Sequence, residues 1–443
     1  MTDSSFPQPV LRIAPDPETP PQASPQETHV HLRVVDHLFR HDAGQMVSTL
    51  TRAFGLPNLS LAEDVVQEAF IAALKNWPFQ GVPENPAAWV LRVARNKALD
   101  VLRRQGNWKD KSPAVQSSFR TLEGMGSSEE PRFAQELRDD RLRLMFACCH
   151  PCIPQNSRTA LILKTVGGFS TSEIGRAFLT RGTTIAQRLV RAKRHIRSEG
   201  LRLEIPSSEQ LPELLPNVLE VLYLMFNEGY SSHQGEALVR RELCSEAIRL
   251  CELLAEHPAT QTPETEALAA LFLLQGARLP ARSDGDGDLI LLPMQDRRLW
   301  NAEMIGQGLE YLGRSARGQK ISTYHLQAEI AACHAMATDY ENTDWASILR
   351  AYDDLQRLTP SPVIALNRAV ALAEVKGPKA ALEILEKIQH QPTMADYYPL
   401  HASLGALYKR LGKRHLAQDH FRRALELTIS QPVRRFLLDQ LHR

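Results

Sequence analysis

From His31 onward, apolar residues recur at three- and four-residue spacing. Val34, Val35, Leu38, Met46, Val47, Leu50 and Phe54 line one helical face, and Gly55 stands where a C-cap is expected. A second helix is predicted from about Leu61 to Trp77. Val65, Val66, Ala69, Phe70, Ala73 and Leu74 form its apolar face, with Glu63, Asp64, Gln67 and Glu68 towards solvent. Residues 78–83 read as a loop. Asn85 and Pro86 then read as an N-cap and a proline at the first helical position, opening a helix through Trp89, Val90, Val93, Ala94, Ala98, Leu99 and Leu102. Residues 106–130 are rich in Ser and Gly without a steady period, which predicts a flexible linker. Helical periodicity resumes near Pro131 and runs to about Gly200, broken at 149–154 and 167–168. Beyond Pro206 it continues almost throughout, and only 289–292 has strand character. The predicted fold class is all-α.

Length changes that picture by dividing it. At 443 residues the chain is long enough for about three domains. The boundaries fall at 1–30, 31–105, 106–130, 131–205 and 206–443. Residues 1–30 hold seven prolines and little apolar periodicity, so they read as a disordered tail. A weak internal repeat lies near 361–431. Leu404, Gly405, Tyr408, Gly412, Ala417, Phe421 and Ala424 fall at the spacing of a tetratricopeptide helix–turn–helix unit, with a degenerate copy around Ala371, Gly377 and Ala381. Ordinary antiparallel helices satisfy the same pattern. The first thirty residues lack the apolar core of a secretory signal, and the longest apolar stretch, 214–226, is interrupted by Glu220. Six cysteines in a chain this long form no disulfide framework. A cytoplasmic protein without a membrane segment is expected.

Charge separates the two halves. The net charge is +1, yet residues 31–200 carry 25 Lys/Arg against 16 Asp/Glu, while 201–443 carry 26 against 31. Only the first half is suited to a polyanion. Within it, residues 169–197 show the sharpest pattern. A short helix after Ser170 and Thr171 turns into a second helix near Thr183, whose inward face would be Ile185, Leu189, Ala192 and Ile196. Thr184, Gln187, Arg188, Arg191 and Arg194 point outward, and 181–197 holds six Lys/Arg and no acid. A helix-turn-helix with a basic second helix fits a major groove, where Arg and Gln read base edges. A solvated basic helix on a bundle is the plainer reading. The helix after Asn85 is also basic, with Arg92, Arg95, Lys97, Arg103 and Arg104 against Asp100. Trp77, Phe79 and Trp89 stand nearby, so it suits an opened single strand or, equally, an aromatic core beneath a solvated face.

These segments resemble a family. Residues 62–70, then Trp77-Pro78, Gly81-Val82-Pro83, Asn85-Pro86-Ala87-Ala88-Trp89 and Ala94-Arg95, are similar to domain two of an ECF-type (extracytoplasmic function) bacterial RNA polymerase sigma factor. Residues 173–179 and 186–193 are similar to its domain four. The chain from about 31 onward resembles the subgroup with a long C-terminal extension containing tetratricopeptide repeats. The resemblance implies two helical sigma domains, the second a helix-turn-helix, joined by a flexible linker and followed by a helical extension. It also implies a non-catalytic specificity subunit of DNA-directed RNA polymerase that needs no cofactor. Asp64, Gln67 and Glu68 would dock on the β′ clamp. Asn85, Trp89, Arg92, Arg95 and Arg103 would serve the −10 element, with Trp89 expected to pack rather than wedge between bases. Arg181, Thr183, Thr184, Gln187, Arg188 and Arg191 would read the −35 element. The implied partners are RNA polymerase core, through its β′ clamp and β flap, and promoter DNA. An anti-sigma factor or another protein at the repeats stays open, as do two rival roles, a repeat scaffold and an operator-binding repressor or activator.

The subgroup also carries an Asp-Gln-Asp-Arg segment followed by Trp. Here it reads Met294, Gln295, Asp296, Arg297 and then Trp300, so Met294 replaces the first acid. A buried Asp296–Arg297 pair, an ion pair to domain two or four, and a plain loop before a capped helix are equally open. Cys148, Cys149, His150 and Cys152 have metal-ligand residue types, but adjacent helical cysteines diverge, and no metal is expected. Residues 284–288 resemble a calcium loop that lacks its glycine and distal glutamate.

Overall fold

The computed structural model describes residues 25–104, 139–151, 153–178, 180–199, 209–230, 240–285 and 287–442. The tail up to residue 24, the linker 106–130, Cys152 and the boundary at 200–205 lie outside them. Among the described residues eighteen α-helices follow one another with no strand. A single isolated bridge joins Ser283 to Leu289, beside the segment read as strand-like.

Helix α1 (Pro25–Phe54) opens six residues before His31, inside the segment expected to be tail. A proline at the first helical position has no hydrogen bond to lose, so Pro25 is compatible with that start. Gly55 ends the helix at φ +88°, its N–H donating to the Thr51 carbonyl. Helix α2 (Leu59–Gln80) corrects the predicted loop at 78–83, because it continues through Pro78. Pro78 sits in the last turn, where it removes one hydrogen bond. Trp77, 1% exposed, anchors that turn in the core. Leu74, placed on the apolar face by its spacing, is exposed. Helix α3 (Pro86–Arg104) starts as the sequence indicates, with Asn85 Oδ1 accepting from the Ala88 N–H at 3.0 Å.

Helices α4 (Asp140–Cys148) and α5 (Gln155–Thr165) lead into α6 (Thr171–Ala177) and α7 (Gly182–Ser198). The extension begins with α8 (Leu211–Tyr230), α9 (Arg241–Glu256), α10 (Pro263–Gly276), α11 (Ala302–Ser315) and α12 (Thr323–Met336). One apolar core runs through all of these, from Val35 in α1 to Ala332 in α12. Helix α13 (Trp345–Leu358) closes a small cluster of Leu326, Ile330, Ile348, Ala351, Leu355 and Ala371.

Helices α14 (Pro362–Lys376), α15 (Pro378–Ile388), α16 (Tyr398–Arg410), α17 (Arg414–Leu427) and α18 (Gln431–His442) share a further core. There α16 and α17 approach so closely that a Cβ on Gly405 would lie 2.7 Å from the Phe421 ring. Only glycine fits that crossing. No helix among the described residues is long and apolar enough to cross a membrane.

Candidate nucleic-acid interface

The helix-turn-helix is built from local chemistry. The Ser170 hydroxyl accepts from the Glu173 N–H at 3.2 Å, and Glu173 accepts from the Ser170 N–H at 2.6 Å, a reciprocal cap that starts α6. Gly175 permits the turn to fold back, since a Cβ there would stand 2.8 Å from the Thr180 carbonyl. Helix α7 then lies with Ile185, Leu189, Ala192 and Ile196 buried, the four positions its periodicity singles out. The opposite face carries Thr184, Gln187, Arg188, Arg191, Arg194 and His195, which line a shallow groove with Pro154 and Ser157 from the start of α5. Arg181 and Thr183 are exposed at the helix entrance. Arg188, Arg191 and Arg194 form no ion pair with any described residue.

Helix α3 is arranged differently. Trp89 is half-buried edge-on against Trp77, ring centroids 5.5 Å apart, so it packs. Phe79, at the end of α2, is 69% exposed and is the aromatic of this group that a base can reach. Arg92 is exposed and Arg95 half-buried, while Arg103 lies 3.7 Å from Asp100 and Lys97 reaches Glu68 at 2.7 Å. On α2, Asp64, Gln67 and Glu68 are all exposed. Their neighbour Glu63 is not, contrary to its solvent-facing reading. Its carboxylate is 12% exposed and bonds Lys193 of α7, because α7 packs over the turn between α1 and α2.

The thiols of Cys148 and Cys149 are buried, and burial pushes Cys149 up to about 12 and Cys148 well above its usual value. Burial favours the neutral thiol in both.

The sigma-70 region 2 family matches residues 38–107. A family of unknown function, DUF6596, matches 214–316. The chain is 41% identical over 399 residues to the uncharacterized protein R00370 of Rhizobium meliloti, covering 90% of this chain and 92% of that one. It is 27% identical over 163 residues to the ECF RNA polymerase sigma factor SigE of Mycolicibacterium smegmatis, 37% of this chain and 60% of that one. A probable RNA polymerase sigma factor of Haemophilus influenzae is 26% identical over 142 residues, 30% of this chain and 73% of that one. The region 2 match and the two sigma-factor relatives support an RNA polymerase sigma factor. Such a subunit binds RNA polymerase core and promoter DNA and catalyses no step itself. No solved structure matches the chain.

The helices are also tied together by polar contacts that no sequence motif announces. Arg52 of α1 meets Asp140 of α4 at 3.0 Å, and Arg141 donates to the His41 carbonyl at 2.6 Å. Towards the extension, Arg141 pairs with Glu246, Arg249 with Asp139 at 2.7 Å, and Arg240 with Glu173 at 3.2 Å. The Thr159 hydroxyl donates to Glu220 at 3.4 Å. Each partner lies far away in sequence, so only the tertiary structure pairs them.

The 294–300 segment resolves into a capped turn. Asp296 accepts from the Arg298 N–H and takes the Arg298 guanidinium at 2.7 Å, so its partner is Arg298 rather than Arg297 or a sigma domain. Gln295 donates to the Ile290 carbonyl at 3.1 Å. Arg297 donates to the carbonyls of His334 and Ala337 at the end of α12, at 2.6 and 2.7 Å. Trp300 is buried, and Asn301 caps α11. Met294 is 78% exposed, so the residue at this position has no buried contact to lose.

Proposed function

We propose that this sigma factor is of the extracytoplasmic function type, works in the cytoplasm, and carries a helical extension that governs its activity in cis. The carrying observation is the division of α7 into a sealed apolar stripe and an outward face of Thr184, Gln187, Arg188 and Arg191, with no described carboxylate paired with those arginines. In this reading that face, entered by Arg181 and Thr183, lies in the −35 major groove. Arg188, Gln187 and Arg191 contact base edges and phosphates there. Asp64, Gln67 and Glu68 form the exposed acidic strip offered to the polymerase clamp. Asn85, Arg92, Arg95 and Arg103 line the −10 strand, with Phe79 added as its stacking ring and Trp89 as the packing beneath.

The extension's role is supported by its ion pairs to the start of α4 and to α6, and by the apolar core it shares with both DNA-contacting units. The helix pairs over 361–431 are read as tetratricopeptide-like, on the close crossing at Gly405, and as the surface for a regulatory protein, an anti-sigma factor included.

Runoff transcription with purified polymerase core, the full chain and DNA upstream of its own gene tests the reading. Start sites requiring both proteins are expected. Failure to bind core would overturn it. For the extension, a double substitution Arg240→Ala, Arg249→Ala is preferable to deletion, which would expose the shared core. Unchanged promoter-directed activity would remove the cis role.

A further inference from the structure

Arg278 follows α10 and is 7% exposed. A guanidinium so deeply buried ordinarily faces a carboxylate, because an unpaired buried charge is costly. Among the described residues it has none. Its one side-chain hydrogen bond is a long one, 3.4 Å to Gln275, and its Nε has no acceptor. Burial and the nearby Arg282 pull its proton affinity below the usual arginine value, against a raising effect of Tyr230.

Arg278 is also not the only such group. Its guanidinium lies 5.1 Å from the centre of the Trp300 ring, and that of Arg297 lies 4.6 Å from the same ring. Arg282 sits 3.7 Å over Tyr230. None of the three arginines forms an ion pair with a described residue. Arg297 uses one nitrogen on α12 and leaves Nη2 without an acceptor, as are Arg282 Nε and Trp300 Nε1. Asp339 and Glu341 act on Arg297 only from a distance, and Asp339 is engaged with Asn342 and Thr338. His334 adds no charge, since burial and the two arginines push it down to about 3. Cation–π contact compensates part of the charge but supplies no hydrogen-bond acceptor.

We propose that Arg278, Arg297 and the Trp300 Nε1–H form a binding site for a small oxyanion, a carboxylate or phosphate carried by a small molecule, with Arg282 at its rim. Guanidinium groups take either through paired N–H donors. The ligand is small because Arg278 and Trp300 are more than nine-tenths buried, while Arg282 and Arg297 are only half-buried and lie nearer the surface. A bound anion joins the end of α10, the 295–300 turn and the end of α12. Tyr230, beneath Arg282, ends the α8 helix whose Glu220 touches domain four. The proposal is independent of how the extension acts on transcription.

The test uses the full-length protein at constant ionic strength, with inorganic phosphate or succinate as probe and chloride as control. Equilibrium dialysis and thermal melting are read together. Saturable binding of either probe with a melting rise of about 2 °C or more over chloride is expected. A phosphate response assigns a phosphate ligand, and a succinate response a carboxylate. Arg278→Met should melt no lower than the parent without anion and bind at least about tenfold more weakly. Trp300→Phe, which keeps the ring and removes the donor, should weaken binding as well and serves if Arg278→Met does not fold. No saturable binding of either probe up to about 100-fold above a micromolar-class affinity, or undiminished binding in the variants, overturns the site.

Discussion

Helices α3 and α7 carry similar basic charge, yet their surroundings differ. On α3, Lys97 is held by Glu68 and Arg103 leans on Asp100, so much of the face is neutralised by its own domain. On α7 Lys193 is engaged by Glu63, while Arg188, Arg191 and Arg194 line a groove and pair with no described carboxylate. A face with free cations suits duplex phosphates and base edges, with steep salt dependence. A partly neutralised face beside the exposed Phe79 suits a strand held by stacking and few phosphates. Similar basic content is therefore compatible with two modes of contact, and the neighbours choose between them.

The largest effect should come from removing the free cations. Arg188→Ala with Arg191→Ala is expected to weaken promoter binding by the polymerase complex about 100-fold, and to lower the salt slope by about 2, leaving core binding unchanged. Equal losses from Lys97→Ala would break the contrast. Next, Phe79→Ala should reduce strand opening about tenfold, read by permanganate reactivity, with duplex binding intact. An equal loss of duplex binding would remove Phe79 from the single-strand role. A smaller effect is expected at the bridge between domains. Glu63→Gln, which leaves Lys193 without its carboxylate, should destabilise the protein by about 1 kcal/mol in thermal unfolding, and a cycle with Lys193→Met should show that the two are coupled. Lys97→Met alone should cost less than about 1 kcal/mol, because both it and Glu68 are well exposed.

Much of the fold was legible residue by residue. The period of α7 predicts its four buried positions, Asn85 marks the start of α3, and Gly55 marks the end of α1. These features depend on contacts within a few residues, where spacing and capping chemistry suffice. Pro78 was misleading because its cost is local, while the burial of Trp77 that offsets it is tertiary. Glu63 was misread for the same reason. Among Glu63, Asp64, Gln67 and Glu68 only the first lies under α7.

The amino-acid sequence by itself determined the all-helical class, the helix-turn-helix and the composition of both basic helices. It did so because helical periodicity and caps are encoded at short range. The tertiary structure alone decided which charges pair, that one core joins region 2 and the helix-turn-helix to the helices beyond Leu211, and that Arg278, Arg297 and Trp300 meet without a carboxylate among the described residues. Those outcomes depend on partners tens or hundreds of residues apart, and desolvation and pairing are set only when the helices close around them.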